Sequence, residues 1–204
     1  MNIVCFGDSI THAGGYAEGD RWPTILHAKL NEWKPGAFGV HNRGIGGNTT
    51  AQALDRFADD VVPLLPAVVL LEFGFNDGNV FNWSKKSRVG LDEFKANLRE
   101  LHRAVRARKG TCVFIVNHTI GTMNMKGGNG KSYNTNFAPY NPAIRRVAAE
   151  LDAPMIDLPA MMRKRKVDLD AFLAEHPDDN LHLSPRGNHI YADMVFEALK
   201  TILK

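Results

Sequence analysis

Four polar clusters interrupt the apolar pattern of this chain: Gly7-Asp8-Ser9, Gly46-Gly47-Asn48, Gly74-Phe75-Asn76-Asp77 and Asp179-Asn180-Leu181-His182. Between them they hold a hydroxyl, an imidazole, carboxylates, a side-chain amide and glycine turns. Acyl transfer asks for such a set: a nucleophile, a base, a group that orients the base, and N–H donors for the oxygen that turns negative in the transition state. Ser9 can be the nucleophile and His182 the base. Asp179, three residues earlier in the same loop, can hold the imidazole tautomer and stabilise the imidazolium. The Ser9 N–H, the Gly47 N–H and the Asn76 side-chain amide can be the oxyanion donors. A glycine lets its backbone approach a substrate closely, and a neutral amide donates without a permanent charge. Each residue also has a plainer reading. Ser9 alone fits a helix N-cap better than a nucleophile, and Asn76 alone is as readily a turn residue. Asp8 and Asp77 read as structural carboxylates that bond the backbone of their own turns.

The elements that must position these clusters alternate in type. Asn2 to Phe6 is a short apolar run that reads as a buried strand, and Ser9 lies just past it. Asp20 to Trp33 reads as a helix with Pro23 in its first turn, and Val40 to Ile45 as a strand. A second helix is expected from Thr50 to Leu65, ended by Pro66. Ala67 to Phe73 is the strongest strand, its near-continuous apolar character expected of a central parallel strand covered on both faces. Leu91 to Lys109 is the clearest amphipathic helix, and Thr111 to Val116 the next strand. Asn117 to Asn141 reads as a long polar loop. Pro142 opens a further helix, Pro154 to Leu158 is a short strand, and two short helices fill Pro159 to Glu175. Ser184 caps a final helix with Pro185 at its first position. Strands alternating with helices predict an α/β fold with a parallel sheet and helices on both faces. In such a sheet the first three clusters share the edge at the carboxyl ends of the strands. No repeat or linker divides residues 1–204, so a single domain is expected.

The set Gly7-Asp8-Ser9-Ile10-Thr11, Asn42 to Thr49, Gly74-Phe75-Asn76-Asp77 and Asp179-Asn180-Leu181-His182 resembles the SGNH (GDSL-type) hydrolase family, with the blocks in order over nearly the whole chain. The resemblance implies a flavodoxin-like three-layer α/β/α sandwich with about five parallel strands. It implies Ser9, Gly47, Asn76 and His182 as the four named residues, with Asp179 completing the triad. Asp178 is also near His182, but the family spacing selects Asp179. Gly46 stands where many members carry a serine, a departure that leaves the Gly47 donor intact. The expected activity is that of a serine esterase, with no metal or cofactor.

The remaining features bound the function. A net charge of +3 is too mild to argue for nucleic acid, and Arg163-Lys164-Arg165-Lys166 reads as a solvated face. Cys5 and Cys112 lie in apolar runs and read as buried thiols, not a disulfide. Gly127 to Ser132 looks like a phosphate loop but has Met125 where the first glycine belongs. No apolar run approaches the roughly 20 residues of a membrane span, and the N-terminus lacks the features of a signal peptide, so a cytoplasmic location is expected. His12, Trp83, His118 and Tyr133 are the candidate substrate contacts. His27, His41, His102, His176 and His189 read as surface or helix-face residues. The polar loops with scattered aromatics suit a sugar better than a long acyl chain, which predicts deacetylation of an acetylated sugar or oligosaccharide, the partner being a small-molecule or oligosaccharide ester substrate. Lysophospholipase or thioesterase activity is the alternative within the family. A metal-dependent phosphoesterase using Asp8, His12, Asn76, Asp77, His182 and His189, or a non-catalytic carbohydrate-binding module, are the alternatives outside it.

Overall fold

The computed structural model describes residues 1–123, 125–174 and 179–203; His176 and Asp178 lie outside them. In chain order the elements are β1 (Asn2–Gly7), α1 (Ser9–His12), α2 (Trp22–Trp33), β2 (Gly39–Gly44), α3 (Thr50–Asp60), β3 (Ala67–Glu72), α4 (Phe75–Gly78) and α5 (Leu91–Ala107). They continue as β4 (Thr111–Val116), α6 (Tyr133–Phe137), α7 (Tyr140–Glu150), β5 (Met155–Asp157), α8 (Leu158–Arg165), α9 (Leu169–Phe172) and α10 (Pro185–Ile202). The five strands form one parallel sheet in the order β2-β1-β3-β4-β5. Every residue of β3 is buried, as its apolar run predicts for a strand covered on both faces.

Strand order decides where a ligand can sit. The chain moves from β1 outward to β2 and then returns past β1 to β3, so its direction reverses between β1 and β3. Right-handed crossovers therefore put α2 on one face and α3 on the other. Helix contacts agree, with α2 packed on α10 in one layer and α5 on both α3 and α7 in the other. A crevice opens at such a reversal, beyond the carboxyl ends of the strands. Register brings the three loops level there, because Gly7 pairs with Gly44 on one side and with Glu72 on the other. Gly44 permits the close fit of α1, since a Cβ at that position would meet His12 N at 2.1 Å.

Three expected boundaries move. Helix α3 stops at Asp60 and gives way to a 3-10 turn over Val62–Leu64. Pro63 is the reason, because it has no N–H to continue the α-helical ladder. Glu18–Asp20 is likewise a 3-10 turn, so α2 starts at Trp22. The segment from Asn117 to Asn141 is not all loop: it contains α6, and α7 opens at Tyr140 with Pro142 still inside its first turn. Tyr133, Phe137 and Tyr140 of this segment are buried, and Phe137 packs on Phe75 with ring centroids 4.7 Å apart. Cys5 and Cys112 are buried free thiols. Among the described residues no helix is long and apolar enough to cross a membrane.

Candidate active site

The chain leaves β1 at Gly7 and enters α1 at once. Asp8 caps this helix, accepting from Ile10 N at 3.0 Å. Ser9 is therefore not the cap, as its plainer reading had it, but the first helical residue. Its backbone N–H belongs to the set that a helix start leaves unpaired. The indole of Trp22 anchors the turn from behind, with Nε1 donating to Ile10 O at 2.8 Å.

His182 comes to Ser9 from the other end of the chain. Its Nε2 lies 2.9 Å from Ser9 Oγ, and its Nδ1 lies 2.8 Å from Asp179 Oδ2. Asp179 Oδ1 accepts the N–H groups of Leu181 at 3.1 Å and His182 at 2.9 Å, so the loop folds around its own carboxylate. Partial burial works to raise this carboxyl, but the bonds from His182 and Leu181 and the nearby imidazole outweigh it and hold it below the usual range. A carboxylate only accepts, so Nδ1 carries the proton, and the Nε2 lone pair faces the serine hydroxyl. The arrangement can draw a proton from Ser9 and return it to a leaving group.

The other two clusters supply donors beside Ser9. Gly47 is exposed with φ of 76°, a left-handed turn that glycine adopts without strain. Neither the Ser9 nor the Gly47 N–H donates to another group among the described residues. Asn76, in α4 just past β3, donates one Nδ2 hydrogen to Asp8 Oδ2 at 3.0 Å. An amide nitrogen has two hydrogens, so one remains for a substrate oxygen.

Beneath these groups lies a carboxyl pair that no solvent reaches. Burial raises Asp8 to about 6 and lifts Glu72 well above the usual carboxylate range, with the negative charge of Asp8 adding to the effect on Glu72. Both effects favour the protonated form of Glu72, and Thr11 Oγ1 donates to Glu72 Oε2 at 2.9 Å. Asp8 is left to accept from Ile10 and Asn76. Asp77 is also raised to about 6 by burial, and its Oδ1 takes the N–H and hydroxyl of Thr50 at 2.9 and 2.5 Å. It ties α4 to the start of α3, a longer reach than the bond within its own turn that the sequence suggested.

The sequence profile of the GDSL-like Lipase/Acylhydrolase family matches residues 5–190, a span that contains all four clusters. The chain belongs to this family. It is a carboxylic ester hydrolase. The isoamyl acetate-hydrolyzing esterase 1 homolog of Rattus norvegicus is 29% identical over 204 residues, covering 91% of this chain and 76% of that protein. Among solved structures, the lipase/acylhydrolase from Enterococcus faecalis has a TM-score of 0.78 at 23% identity, covering 98% of this hydrolase and 96% of that chain. An acetylxylan esterase from Geobacillus stearothermophilus also reaches 0.78, at 24% identity, covering 97% and 93%. Both share the three-layer fold.

The candidate substrate contacts of the hydrolase part company. His12 is exposed and lines a cavity of about 410 Å³ with Ser9, Ala13, Tyr16, His182 and Leu183. Trp83 is 79% exposed, stacked on Phe81 at 4.7 Å, and lines a separate shallow groove running to Arg88. Tyr133 cannot contact substrate as expected. It is buried, and its hydroxyl donates to Phe75 O at 2.8 Å, steadying the turn that carries Asn76. His118 is also buried, wedged against Phe75, Phe172 and Tyr191. Its Nε2 donates to Leu181 O at 2.8 Å, so it braces the loop of His182 and does not meet substrate.

Burial lowers the His118 pKa from 6.5 to about 4, the Leu181 bond opposing and His182 adding slightly. The sign of the consequence follows from linkage. Between pH 6.5 and about 4 the unfolded chain binds a proton here that the folded chain refuses. Stability contributed by this site is therefore complete above 6.5 and is lost as pH falls, roughly 3 kcal/mol over the window. Urea midpoints of wild type and His118→Gln, measured from pH 7 to 4, are expected to converge as the pH drops. Parallel curves would contradict the assignment.

Three residues at the site escaped the sequence reading. Arg56 of α3 donates to Gly7 O, Arg43 O and Asn48 Oδ1, stitching the first two clusters together. Arg88 reaches Gly47 O and Asn76 Oδ1. Glu72 did leave a signal, as the one charged residue in the apolar run of β3. The ligand set of a phosphoesterase is not assembled. Asp77 is buried with its Oδ1 bonded to Thr50, His189 is exposed on α10, and among the described residues no three His, Cys, Asp or Glu side chains gather to hold a metal.

Proposed function

We propose that this hydrolase removes short acyl groups, acetyl above all, from an alcohol through an acyl-enzyme on Ser9. The observation that carries the reading is the unbroken line of hydrogen bonds from Ser9 Oγ through His182 to Asp179. In the proposed sequence His182 takes the Ser9 proton as Oγ attacks the carbonyl. The Ser9 and Gly47 N–H groups and Asn76 Nδ2 hold the oxyanion, and Asp179 stabilises the imidazolium. The imidazolium then protonates the departing alcohol. Water, activated by the same imidazole, hydrolyses the acyl-enzyme.

The cavity supports an assignment of sides. Its wall includes Ser9 and His182 but neither Gly47 nor Asn76. The leaving oxygen must lie beside the group that protonates it, so the alcohol belongs in this cavity. Its size of about 410 Å³ exceeds what an acetyl group needs and suits a small alcohol or one sugar, since ligand pockets run about 300–1,000 Å³. The isoamyl acetate-hydrolyzing and acetylxylan esterases named above have acetyl in common and differ in the alcohol.

A carbohydrate alcohol is the reading we favour, with exposed Trp83 offering a flat face to a more distant sugar. A small branched alcohol is the second reading, supported by Ile10, Ala13, Ala174 and Leu183 in the cavity wall. Turnover of p-nitrophenyl esters is expected to fall by about tenfold or more from acetate to octanoate; a rise would overturn the short-acyl reading. Trp83→Ala is expected to raise KM for an acetylated xylo-oligosaccharide by about threefold to tenfold while leaving p-nitrophenyl acetate untouched. Preference for isoamyl acetate with no Trp83 effect would select the second reading.

A further inference from the structure

The Asn76 amide stands between an anion and a cation. Its Nδ2 donates to Asp8 Oδ2 at 3.0 Å, and its Oδ1 accepts from Arg88 Nη1 at 3.3 Å. The same Nη1 donates to the Gly47 carbonyl at 2.8 Å, and Nη2 reaches Gln52 Oε1 at 3.2 Å. Gln52 in turn closes the capping box that starts α3. One guanidinium thus spans the loops after β2 and β3, touching both residues that offer an oxyanion donor besides Ser9. Arg88 is itself fixed: its N–H donates to Asn79 O at 2.9 Å, and its guanidinium lies 5.4 Å from the centre of the Phe81 ring.

The contacts have three physical effects. Turning the amide over would set Oδ1 against the Asp8 carboxylate and the NH2 group against the guanidinium, so the amide has one orientation. A cation bonded to an amide oxygen draws electron density from the nitrogen and makes its N–H a stronger donor. The bond to Gly47 O holds that residue in its left-handed turn. A salt-bridge arginine would face a carboxylate; this one spends its donors on one backbone carbonyl and two side-chain amide oxygens.

We propose that Arg88 is a positioning residue for the oxyanion site: it acts through Asn76 and Gly47, sets their N–H groups toward the developing oxyanion, and does not itself contact the reacting ester. The inference rests on the acyl-enzyme mechanism proposed above. Its mark is kinetic, because groups aligned for the transition state govern kcat while ground-state binding governs KM.

The test uses Arg88→Met, which keeps the aliphatic stem, with p-nitrophenyl acetate as substrate. The expected result is a kcat lower by about tenfold to hundredfold with KM within about twofold. In an Asn76→Ala background the same replacement is expected to cost less than about threefold, since its main target is gone. The Asn76 side-chain NH2 signals in a ¹H–¹⁵N spectrum should shift. Should Arg88→Met fail to fold, Arg88→Gln serves, because it keeps a polar end but is shorter and uncharged, and the same split is expected. An unchanged kcat, a change confined to KM, or the full effect persisting without Asn76 would each overturn the proposal. Ser9→Ala run in parallel separates the failures. An active Ser9→Ala removes the mechanism and this role with it. An inactive Ser9→Ala beside a fully active Arg88→Met removes this role alone.

Discussion

Ser9→Ala is expected to lower kcat for p-nitrophenyl acetate by about 10⁴- to 10⁶-fold, leaving only the rate that oxyanion donors and binding sustain without a nucleophile. The fold should hardly notice. Ser9 is half-buried, and among the described residues its hydroxyl bonds only to His182 Nε2, at 2.9 Å. Losing one such bond costs about 1 kcal/mol, which moves the melting temperature of a chain this size by about 2–4 °C. Asp8, not Ser9, caps α1, so the helix start survives the change. The prediction therefore separates chemistry from stability: a large fall in kcat, with thermal unfolding and circular dichroism close to wild type.

Asp179→Asn is expected to lower kcat by about 10⁴-fold, even though the two side chains have nearly the same shape. The reason lies in what the carboxylate does with both oxygens. Oδ1 accepts two backbone N–H groups, from Leu181 and His182, and Oδ2 accepts from His182 Nδ1. An asparagine has one acceptor oxygen. If that oxygen keeps the backbone bonds, the NH2 group faces Nδ1 and forces it to be an acceptor. The imidazole proton then moves to Nε2 and points at Ser9, and the base has no lone pair for the hydroxyl. Turned the other way, the amide leaves two backbone N–H groups facing an NH2, and the loop that carries His182 loosens. The first outcome removes the base and the second misplaces it, so kcat falls while KM, set by the cavity, stays near wild type. A chemical-shift measurement on the His182 ring nitrogens would reveal the exchanged tautomer directly.

The architecture was legible because its signals are local. β1, β3 and β4 are short apolar runs bounded by glycine, proline or asparagine, and the clusters that follow β1, β2 and β3 are consecutive turn residues. Parallel direction alone brings those loops to one edge, so Ser9, Gly47 and Asn76 could be grouped before any coordinate was known. What escaped depends on tertiary neighbours. His118 and Tyr133 sit in a polar stretch whose composition says loop. Their burial follows from how α6 and the His182 loop close over Phe75, a packing no window of sequence contains. Arg88 follows Lys85-Lys86-Ser87 in a segment with the look of a solvated surface. Only the approach of Gly47 from another strand end gives its guanidinium a purpose. Ser9 and Asp8 are both residue types that cap helices well; the choice of Asp8 is made by the N–H of Ile10.

The buried acid pair shows how a departure from the usual pattern can mark a site. Glu72 breaks the apolar run of β3 and would destabilise a sheet interior if it stood alone and charged. Burial and the neighbouring Asp8 charge favour its neutral form, and Thr11 Oγ1 donates to its Oε2. Asp8 in turn is directed at Ile10 and Asn76, the residues that start α1 and offer the side-chain donor.

The most direct measurement is to treat the protein with a fluorophosphonate probe and locate the adduct by mass spectrometry of proteolytic peptides. One adduct is expected, on Ser9, abolished in Ser9→Ala and strongly slowed in His182→Ala, with loss of esterase activity in proportion to labelling. Undiminished hydrolysis of p-nitrophenyl acetate by protein that carries no label on Ser9, or an adduct formed at another residue as activity is lost, would contradict it.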